Sequence, residues 1–408
     1  MAEFQLGVNY WPRRTAMYWW KEFDAAEVED DFARIADLGL AYVRFFLLWE
    51  DFQPEPDTVV AAQLENLRRV LDIAQRHGLR AYPTLLVGNM SDAMWWPRWV
   101  YSNQPEESTA RQFTGGQVVR RRVGDLYADP GLLQGESLFA RVASRAVAGH
   151  PALAGWDLAN EIDQVRGPAN PADGRRWTVT LADALTTPTV TYGAHPISLT
   201  TRGLTIPAIA PSLTYLSMHG YPQYSDIART TLDPEIAPFV TVLTAQLGGK
   251  PCLMQEFGVA TVGPGESGRW IDDDFLGRPM RTYLAGEEEG AAYIAAVLDR
   301  LWQVGALGGL LWDYADYVPA LDDRPPFDRA HRERYFGLFR ADGTAKPAAD
   351  RVRSFARELR GGGLAERLGP QGAGRVDLRV DPEAYYTDPR PAYAAAYRSY
   401  LERIATPQ

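Results

Sequence analysis

Short apolar runs alternate with longer amphipathic segments along most of this chain. Eight apolar runs have the length and composition of buried strands: Phe4–Tyr10, Tyr42–Leu48, Arg80–Val87, Leu153–Leu158, Pro196–Thr200, Tyr215–His219, Pro251–Gln255 and Leu307–Trp312. Between them, apolar residues recur at helical spacing, as in Ala25–Leu38, Ala61–Arg76, Leu132–Ala148 and Glu287–Val304. Strands that alternate with helices indicate a parallel sheet, and eight such units predict an α/β fold of the (β/α)8 barrel (TIM barrel) type.

The barrel pattern ends after a last predicted helix, Pro347–Leu359, which three glycines follow at positions 361–363. In the remaining tail, apolar and aromatic residues from Tyr393 to Leu401 again recur at helical spacing. A segment this short cannot hold a core of its own. We therefore predict a barrel over residues 1–360 and, over residues 361–408, a glycine-rich connection and a helical tail that packs on the barrel.

The composition narrows the classes of partner. The 408 residues carry a net charge of -10, which argues against nucleic acid or an anionic membrane surface. The single cysteine, Cys252, excludes an internal disulfide framework. The first residues lack the pattern of a signal peptide and no apolar run has the length of a membrane span, so we predict a cytoplasmic protein of unknown oligomeric state.

Two of the predicted strands stop abruptly at a glutamate: strand four runs into Asn160-Glu161, and strand seven into Glu256. Burying a carboxylate is costly unless the group is paired or used. In a (β/α)8 barrel the carboxyl ends of all strands meet at the active-site face, so the two glutamates can face each other across one pocket. Paired carboxylates are what hydrolysis of a glycosidic bond requires.

Further polar and aromatic candidates fall at the same strand ends. They are Arg44 in strand two, His219 and Tyr221 at strand six, Trp312 in strand eight and, as weaker candidates, Trp49 and Asn89. Arg44 lies in an apolar run and cannot be buried unpaired, so we expect it to pair with a carboxylate. Long aromatic loops after strands one, three and eight are typical of a substrate site on one face of a rigid barrel.

Taken together, Asn160-Glu161, His219-Gly220-Tyr221, Glu256, Trp312 and Arg44 resemble the motifs of clan A glycoside hydrolases, most closely family 5. The resemblance covers roughly residues 4–360. It implies an enzyme that hydrolyses O-glycosyl bonds with retention of configuration and needs no cofactor.

In that resemblance, Glu161 is the general acid and base, and Glu256 is the nucleophile that forms a covalent glycosyl-enzyme. The two carboxyl groups should then lie about 5–5.5 Å apart. The acid must be protonated at rest, so we expect burial and the nearby Glu256 to raise its pKa. Arg44 and Tyr221 are expected to keep Glu256 ionised.

The resemblance also assigns substrate contacts. Asn160 would hold the 2-hydroxyl of the sugar, His219 and Tyr221 would line the subsite of the cleaved sugar, and Trp312 would be its stacking floor. One departure is that family 5 usually has a histidine near the end of strand three, where this chain reads Pro83-Thr84-Leu85-Leu86-Val87-Gly88-Asn89. That departure bears on which sugar is bound.

Three further segments resemble a bacterial family 5 branch of exo-β-mannosidases: Gly7–Pro12, Ala16–Trp20 and Phe46–Pro54. The resemblance implies release of mannose from short β-mannosides, including mannose β-1,4-linked to N-acetylglucosamine. Four alternatives stay open: a β-glucosidase or β-galactosidase, an endo-β-mannanase or glucanase, a transglycosidase, and a sugar-binding barrel without catalysis. The five histidines show no metal-ligand spacing, so no metal is predicted.

Overall fold

Eight parallel strands close into a barrel in the computed structural model, which describes residues 3–105, 109–186 and 189–405. Neighbouring strands in the barrel follow chain order, which confirms the (β/α)8 prediction. The barrel strands are β1 Gln5–Tyr10, β2 Tyr42–Phe46, β3 Arg80–Val87, β4 Trp156–Asn160, β5 Val190–Ala194, β6 Leu216–His219, β7 Cys252–Phe257 and β8 Gly308–Leu311.

Helices surround the barrel and follow it to the end of the described chain. They are α1 Ala25–Asp37, α2 Trp49–Phe52, α3 Ala61–Arg76, α4 Pro130–Ala146, α5 Ile162–Val165, α6 Pro171–Ala184, α7 Ile206–Ile209, α8 Ile236–Gly248, α9 Glu287–Val304, α10 Pro347–Gly361, α11 Gly363–Leu368, α12 Pro382–Thr387 and α13 Pro389–Ala405. Short 3-10 helices cover Ala16–Tyr18, Arg98–Val100, Pro196–Leu199, Ala210–Ser212, Pro222–Tyr224, Pro319–Leu321 and His331–Arg334. In the described ranges, no helix combines the length and the apolar character that crossing a membrane requires.

Local sequence signals place the helix ends. The Asp24 side chain accepts a hydrogen bond from the Ala26 N–H at 2.9 Å and so caps α1. Gly39 follows the end of that helix with φ +80°, a left-handed conformation that glycine adopts without strain. Helices α3 and α9 have the bounds that periodicity predicts, because their apolar positions recur up to those ends.

The predicted fifth strand, Pro196–Thr200, is wrong. The strand is Val190–Ala194, and Pro196–Leu199 is a 3-10 helix instead. Pro196 has no N–H to donate to a sheet, and the His195 ring accepts from the Ile197 N–H, which caps the helical turn. The true strand has no continuous aliphatic run, and its threonine, Thr191, is buried in the barrel against Ser217, with the two hydroxyl oxygens 2.7 Å apart.

Insertions on the carboxyl-end face build walls above the barrel. After β3, a four-stranded sheet is made by Asn89–Met90, Ala93–Trp95, Arg111–Thr114 and Gln117–Val119. Tyr101–Pro105 pairs with Arg121–Val123 beside it. After β7, the hairpin Arg269–Phe275 and Arg278–Leu284 stands over the same face. The sequence predicted a long aromatic loop after strand three but not its strands, and it predicted nothing for the hairpin after β7.

The C-terminal helices pack on the outside of the barrel through tyrosines. The rings of Tyr393, Tyr397 and Tyr400 on α13 lie 5.4, 4.9 and 5.6 Å from the ring of Phe239 on α8. The Tyr397 hydroxyl donates to Asp233 at 2.6 Å. The division of the chain at residue 360 stays a prediction, and residues 406–408 of the predicted tail lie outside the described residues.

Candidate active site

Two buried glutamates face each other at the carboxyl ends of β4 and β7. Glu161 directly follows β4, and Glu256 is the fifth residue of β7. Their exposed fractions are only 7% and 4%. Glu161 has φ +47° and ψ +31°, the left-handed conformation, which turns the chain from the strand into helix α5.

Glu161 is held by two side chains. Its Oε1 lies 2.7 Å from Nδ1 of His219, at the end of β6. Its Oε2 accepts from the Asn89 amide at 2.8 Å. Asn89 follows β3, so it contacts this carboxylate from the strand end where the family pattern has a histidine.

Arg44 is the fixed positive charge beneath Glu256. Its Nη1 donates to Glu256 Oε1 at 2.6 Å, and Nε and Nη2 both donate to Asp157 Oδ2, at 2.9 and 2.7 Å. The other oxygen of Glu256 accepts from the Tyr221 hydroxyl at 3.0 Å. Arg44 is fully buried and every carboxylate near it is hydrogen-bonded, which is the condition for a buried ion pair to persist.

Arg44 also orients the neighbouring amide, because its Nη2 donates to Asn160 Oδ1 at 2.7 Å. The Asn160 amide in turn donates to the Asn89 carbonyl at 2.8 Å. Both contacts fix the side chain at the edge of the pocket, where Asn160 is one of the lining residues. The amide is therefore preorganised for a hydroxyl group of a bound molecule.

The spacing of the two carboxylates is short. One oxygen of Glu161, one oxygen of Glu256 and a ring nitrogen of His219 all lie within 4.8 Å of one another. Retaining glycosidases have carboxyl groups about 5–5.5 Å apart, whereas inverting enzymes need roughly 6.5–9.5 Å to admit a water molecule. The arrangement suits direct attack by one carboxylate on a sugar held against the other.

The pKa of Glu161 in this cluster differs from the expectation that it is raised. Burial raises the pKa of Glu161, but the charge of His195 and the hydrogen bonds from His219 and Asn89 together lower it to about 2. Burial lowers the pKa of His219, but the charge of Glu256 and the bond to Glu161 outweigh burial and raise it. The pKa of Glu161 is therefore lowered and that of His219, one hydrogen bond away, is raised, so the predicted rise in the pKa of Glu161 is wrong.

Opposing effects act on the pKa of Glu256. Burial raises its pKa, the charge of Glu161 raises it further, and the charges of His219 and Arg44 lower it, with a net rise. A proton that passes from His219 to Glu161 removes the negative charge opposite Glu256. Protonation of Glu161 and ionisation of Glu256 therefore favour each other.

The pocket above the two glutamates encloses about 470 Å³ of empty space. Of the sequence candidates, Asn89, Asn160, Glu161, Tyr221, Glu256 and Trp312 line it. Arg44 and His219 are fully buried and act on the carboxylates from beneath, so the expectation that His219 lines the wall is corrected.

Trp49 does not reach the pocket. It is fully buried on α2, and its indole N–H donates to Gln53 at 2.6 Å. Its ring packs edge-on against Trp96 and Trp99, with centroids 5.9 and 5.1 Å away. Trp49 is therefore a core residue, and the prediction that it contacts the substrate is wrong.

Sequence reasoning missed a charged cap over the pocket, which we define as Asp92, Arg332 and Glu333. Arg332 is 1% exposed and forms ion pairs with Asp92 and, at 3.0 Å, with Asp273. Burial raises the pKa of Glu333 to about 7, against the lowering by Arg332. The only sequence signal was the excess of Asp and Arg in the long loop after β8.

The turn that carries Asp92 explains how it reaches the cap. Ser91 and Asp92 both have positive φ, 52° and 63°, between the paired segments Asn89–Met90 and Ala93–Trp95. A two-residue hairpin turn that matches the twist of its strands requires positive φ at both central residues. The Ser91 hydroxyl donates to Glu333 at 3.1 Å, so this hairpin and the loop after β8 meet over the pocket.

Glu161, His219 and Glu256 are also a set of donors that a metal ion could use. The guanidinium of Arg44 already supplies a positive charge 2.6 Å from Glu256. Asn89 and Tyr221 donate to the remaining carboxylate oxygens. These contacts do not favour a divalent cation, and the absence of a metal requirement stays a prediction.

Fold and site together define a glycoside hydrolase, and the solved structures that share the fold include enzymes of family 5, in agreement with the resemblance drawn from the sequence. In particular, the chain is similar to an exo-β-1,4-mannosidase, Op5Man5 from Opitutaceae bacterium strain TAV5, with 26% identity and a TM-score of 0.70. That match covers 89% of this chain and 60% of the longer neighbour. No protein-family model and no curated protein matches the sequence.

Two further solved structures share the fold. A variant of GH5_18 from Streptomyces cattleya in complex with Manβ1-4GlcNAc has 20% identity and a TM-score of 0.76, over 99% of this chain and 92% of that one. GH5_18 from Bifidobacterium longum subsp. longum, also solved as a variant with Manβ1-4GlcNAc, has 18% identity and a TM-score of 0.71, over 88% and 79%. At these identities the likeness concerns the fold.

Proposed function

We propose that this protein is a retaining exo-β-mannosidase that releases mannose from short β-mannosides, including mannose β-1,4-linked to N-acetylglucosamine. The observation that carries the proposal is the pair of buried glutamates with oxygens within 4.8 Å, each with its own set of hydrogen-bond donors. The fold shared with an exo-β-1,4-mannosidase supports the choice of sugar. A cytoplasmic location stays a prediction.

In the proposed mechanism, Glu256 attacks the anomeric carbon while Glu161 gives a proton to the departing oxygen. The proton comes from His219 across the 2.7 Å hydrogen bond. Arg44 and Tyr221 hold Glu256 in the line of attack. Water then enters on the same side, Glu161 takes its proton, and the bond from the sugar to Glu256 breaks, so the configuration is retained.

The charged cap supports exo action. Arg332 and Glu333 lie at 1% and 7% exposure over the pocket, and Tyr224 bonds to both, with its hydroxyl 2.5 Å from Arg332 Nε and 3.4 Å from Glu333 Oε1. A polymer needs a groove that is open at both ends. A buried ion pair in the wall of the pocket leaves less room for a continuing sugar chain, which counts against the endo-mannanase alternative.

Initial rates on p-nitrophenyl β-D-mannoside, β-D-glucoside and β-D-galactoside test the proposal. We expect a clear preference for the mannoside. Glu256→Ala should reduce turnover by at least about 10⁴-fold, because removal of a nucleophile typically costs that much or more. Glu266→Ala, which removes an exposed glutamate of the same β7–β8 connection, is the matched control and should retain wild-type rates.

The possible outcomes separate the parts of the proposal. Preference for the glucoside or the galactoside keeps the mechanism and rejects the mannosidase. Turnover that survives Glu256→Ala rejects the nucleophile. If no aryl glycoside is cleaved, Manβ1-4GlcNAc is tried next, and failure on that substrate as well leaves the sugar-binding barrel without catalysis.

A further inference from the structure

A second, larger cleft opens beside the catalytic pocket. It contains about 1290 Å³ of empty space that is partly open to solvent, compared with about 470 Å³ for the pocket. The two cavities share a common wall, made of Gln164, His195, Tyr221, Tyr224 and Phe275. The cleft therefore directly adjoins the site at which the glycosidic bond would be broken.

Part of the shared wall, Gln164 and His195, lies on the side of Glu161. Gln164 stands one turn beyond that residue on α5, and its backbone N–H donates to the Glu161 carbonyl at 3.1 Å. The Gln164 amide lies 3.4 Å from the His195 ring. A leaving group takes its proton from Glu161, so it departs towards this wall and into the cleft behind it.

The cleft has an aliphatic floor and a polar rim. Its floor is formed by Ile197, Ile227, Ile236, Val240 and Leu276, and its rim includes Ser225 and Asp226. Such a surface suits a sugar that carries an apolar substituent, because the hydroxyl groups can meet the rim while the substituent is removed from water.

An unpartnered acceptor points to a ligand at the junction of the two cavities. The side-chain oxygen of Gln164 is buried and has no hydrogen-bond partner among the described residues. A buried acceptor without a partner costs about 1–3 kcal/mol. A hydroxyl or amide N–H of a bound saccharide would satisfy it.

The outer wall of the cleft comes from the C-terminal tail, through Arg390 and Tyr393 on α13. Arg390 is exposed and makes no hydrogen bond or ion pair with the residues that the structure describes. It stands in the first turn of the helix, where a positive charge is unfavourable to the helix dipole. Helix stability therefore does not explain an arginine at this position.

From these contacts we infer that the cleft is the leaving-group site and that the tail helix completes it, with Arg390 as a binding residue for a saccharide that carries an apolar substituent. This inference rests on the proposed function. It makes the tail part of the substrate site, in addition to its packing on the barrel.

The test uses the covalent intermediate. The full-length enzyme is treated with the 2-deoxy-2-fluoro glycosyl fluoride of the sugar it prefers, excess reagent is removed, and recovery of activity is followed with increasing N-acetylglucosamine. In the recovery step, an acceptor oxygen bonds to the anomeric carbon, the bond from that carbon to Glu256 breaks with its electrons on the carboxylate, and the acceptor proton passes to Glu161.

We expect Arg390→Ala to raise the acceptor concentration for half-maximal recovery about tenfold, since a hydrogen bond to a charged group contributes roughly that factor. Ile227→Ala, at the floor, should raise it severalfold through lost apolar contact. Arg398→Ala removes an exposed arginine of the same helix that does not line the cleft. It should match the wild type.

Three results would count against these assignments. If Arg390→Ala and Ile227→Ala both recover at the wild-type acceptor concentration, the cleft is not the leaving-group site. The same conclusion follows if N-acetylglucosamine does not accelerate recovery of the wild type. If no covalent intermediate forms, it is the proposed retaining mechanism that fails.

Discussion

Glu161 and Glu256 have the same side chain and nearly equal burial, so the different roles proposed for them must come from the groups that donate to them. Glu161 receives a ring N–H from His219 and an amide from Asn89. Glu256 receives the permanently charged guanidinium of Arg44. An imidazole can give up its proton near neutral pH and a guanidinium cannot. The proposed acid and the proposed nucleophile are thereby distinguished by whether their charged partner can release a proton.

Replacing the acid should affect substrates unequally. We expect Glu161→Ala to lower kcat/KM for Manβ1-4GlcNAc by at least about 10³-fold, and far less for an aryl mannoside, whose leaving group needs little protonation. Added azide should restore turnover of the aryl mannoside by attacking in place of activated water, and the product should be the β-glycosyl azide. Equal losses on both substrates, or an α-azide, would contradict the assigned acid.

At the level of single residues, sequence reasoning succeeded where strand ends converge. Arg44, Asn160, His219, Tyr221, Trp312 and Asn89 all lie at or beneath the pocket because the barrel brings the carboxyl ends of its strands together. The prediction that Trp49 contacts the substrate failed because a position just past a strand does not fix the direction in which the ring points. Arg332 and Glu333 were not found because their role depends on loops that meet only in the folded protein.

At the level of elements, β5 passes very close to the guanidinium of Arg44. An ideal Cβ at Gly193 would lie 2.7 Å from Arg44 Nη2, 2.8 Å from the Ala159 carbonyl oxygen and 2.9 Å from Gln255 Oε1. All three distances are shorter than real Cβ contacts. A glycine in the middle of this strand therefore makes room for the arginine under the nucleophile.

We expect Gly193→Ala to lower kcat/KM by about 10²-fold, because Arg44 or strand β4 must shift and misplacement of about 1 Å costs that much. Overpacking should also cost about 1–3 kcal/mol of unfolding free energy. Gly167→Ala is the control, since no atom would lie within 4 Å of its Cβ. Wild-type kinetics in Gly193→Ala would show that Arg44 does not depend on this gap.

Strand β5 also shows a limit to the prediction of secondary-structure elements from the sequence. Strands β3 and β8 contain the aliphatic runs Leu85-Leu86-Val87 and Leu310-Leu311 and were found, whereas Val190–Ala194 has no such run and was missed in favour of Pro196–Thr200. The one polar side chain of the strand that is hydrogen-bonded, Thr191, is buried and satisfied by Ser217 on the neighbouring strand. Only the closed barrel makes such a sequence a favourable strand.

At the level of the whole molecule, Asp31 ties helix α1 to the first and last strands of the barrel. It accepts from Tyr10 at 3.0 Å and from Tyr314, after β8, at 2.7 Å. Burial raises the pKa of Asp31 to about 6, and the two tyrosine hydroxyls only partly oppose that rise. The folded protein therefore holds a proton that the unfolded chain releases at a lower pH.

This raised pKa has a definite sign in stability. The contribution of Asp31 is complete below pH about 4 and is lost as the pH rises through about 6, by about 3 kcal/mol in total. Between pH 4.5 and 7, the unfolding free energy of Asp31→Asn, measured by urea denaturation, should accordingly rise relative to that of the wild type. The exposed neighbour Asp30 provides the control, Asp30→Asn. Parallel curves for Asp31→Asn and wild type would refute the prediction.

The left-handed backbone of Glu161 has a consequence for any attempt to improve this protein. A residue with a side chain is held in that conformation at a cost of about 1–2 kcal/mol, and glycine adopts it freely. A library screened only for heat resistance would thus tend to enrich glycine at position 161. The most stable variants from such a screen would be those that had lost the proposed acid. Selection for thermal stability and selection for activity therefore favour different residues at this position.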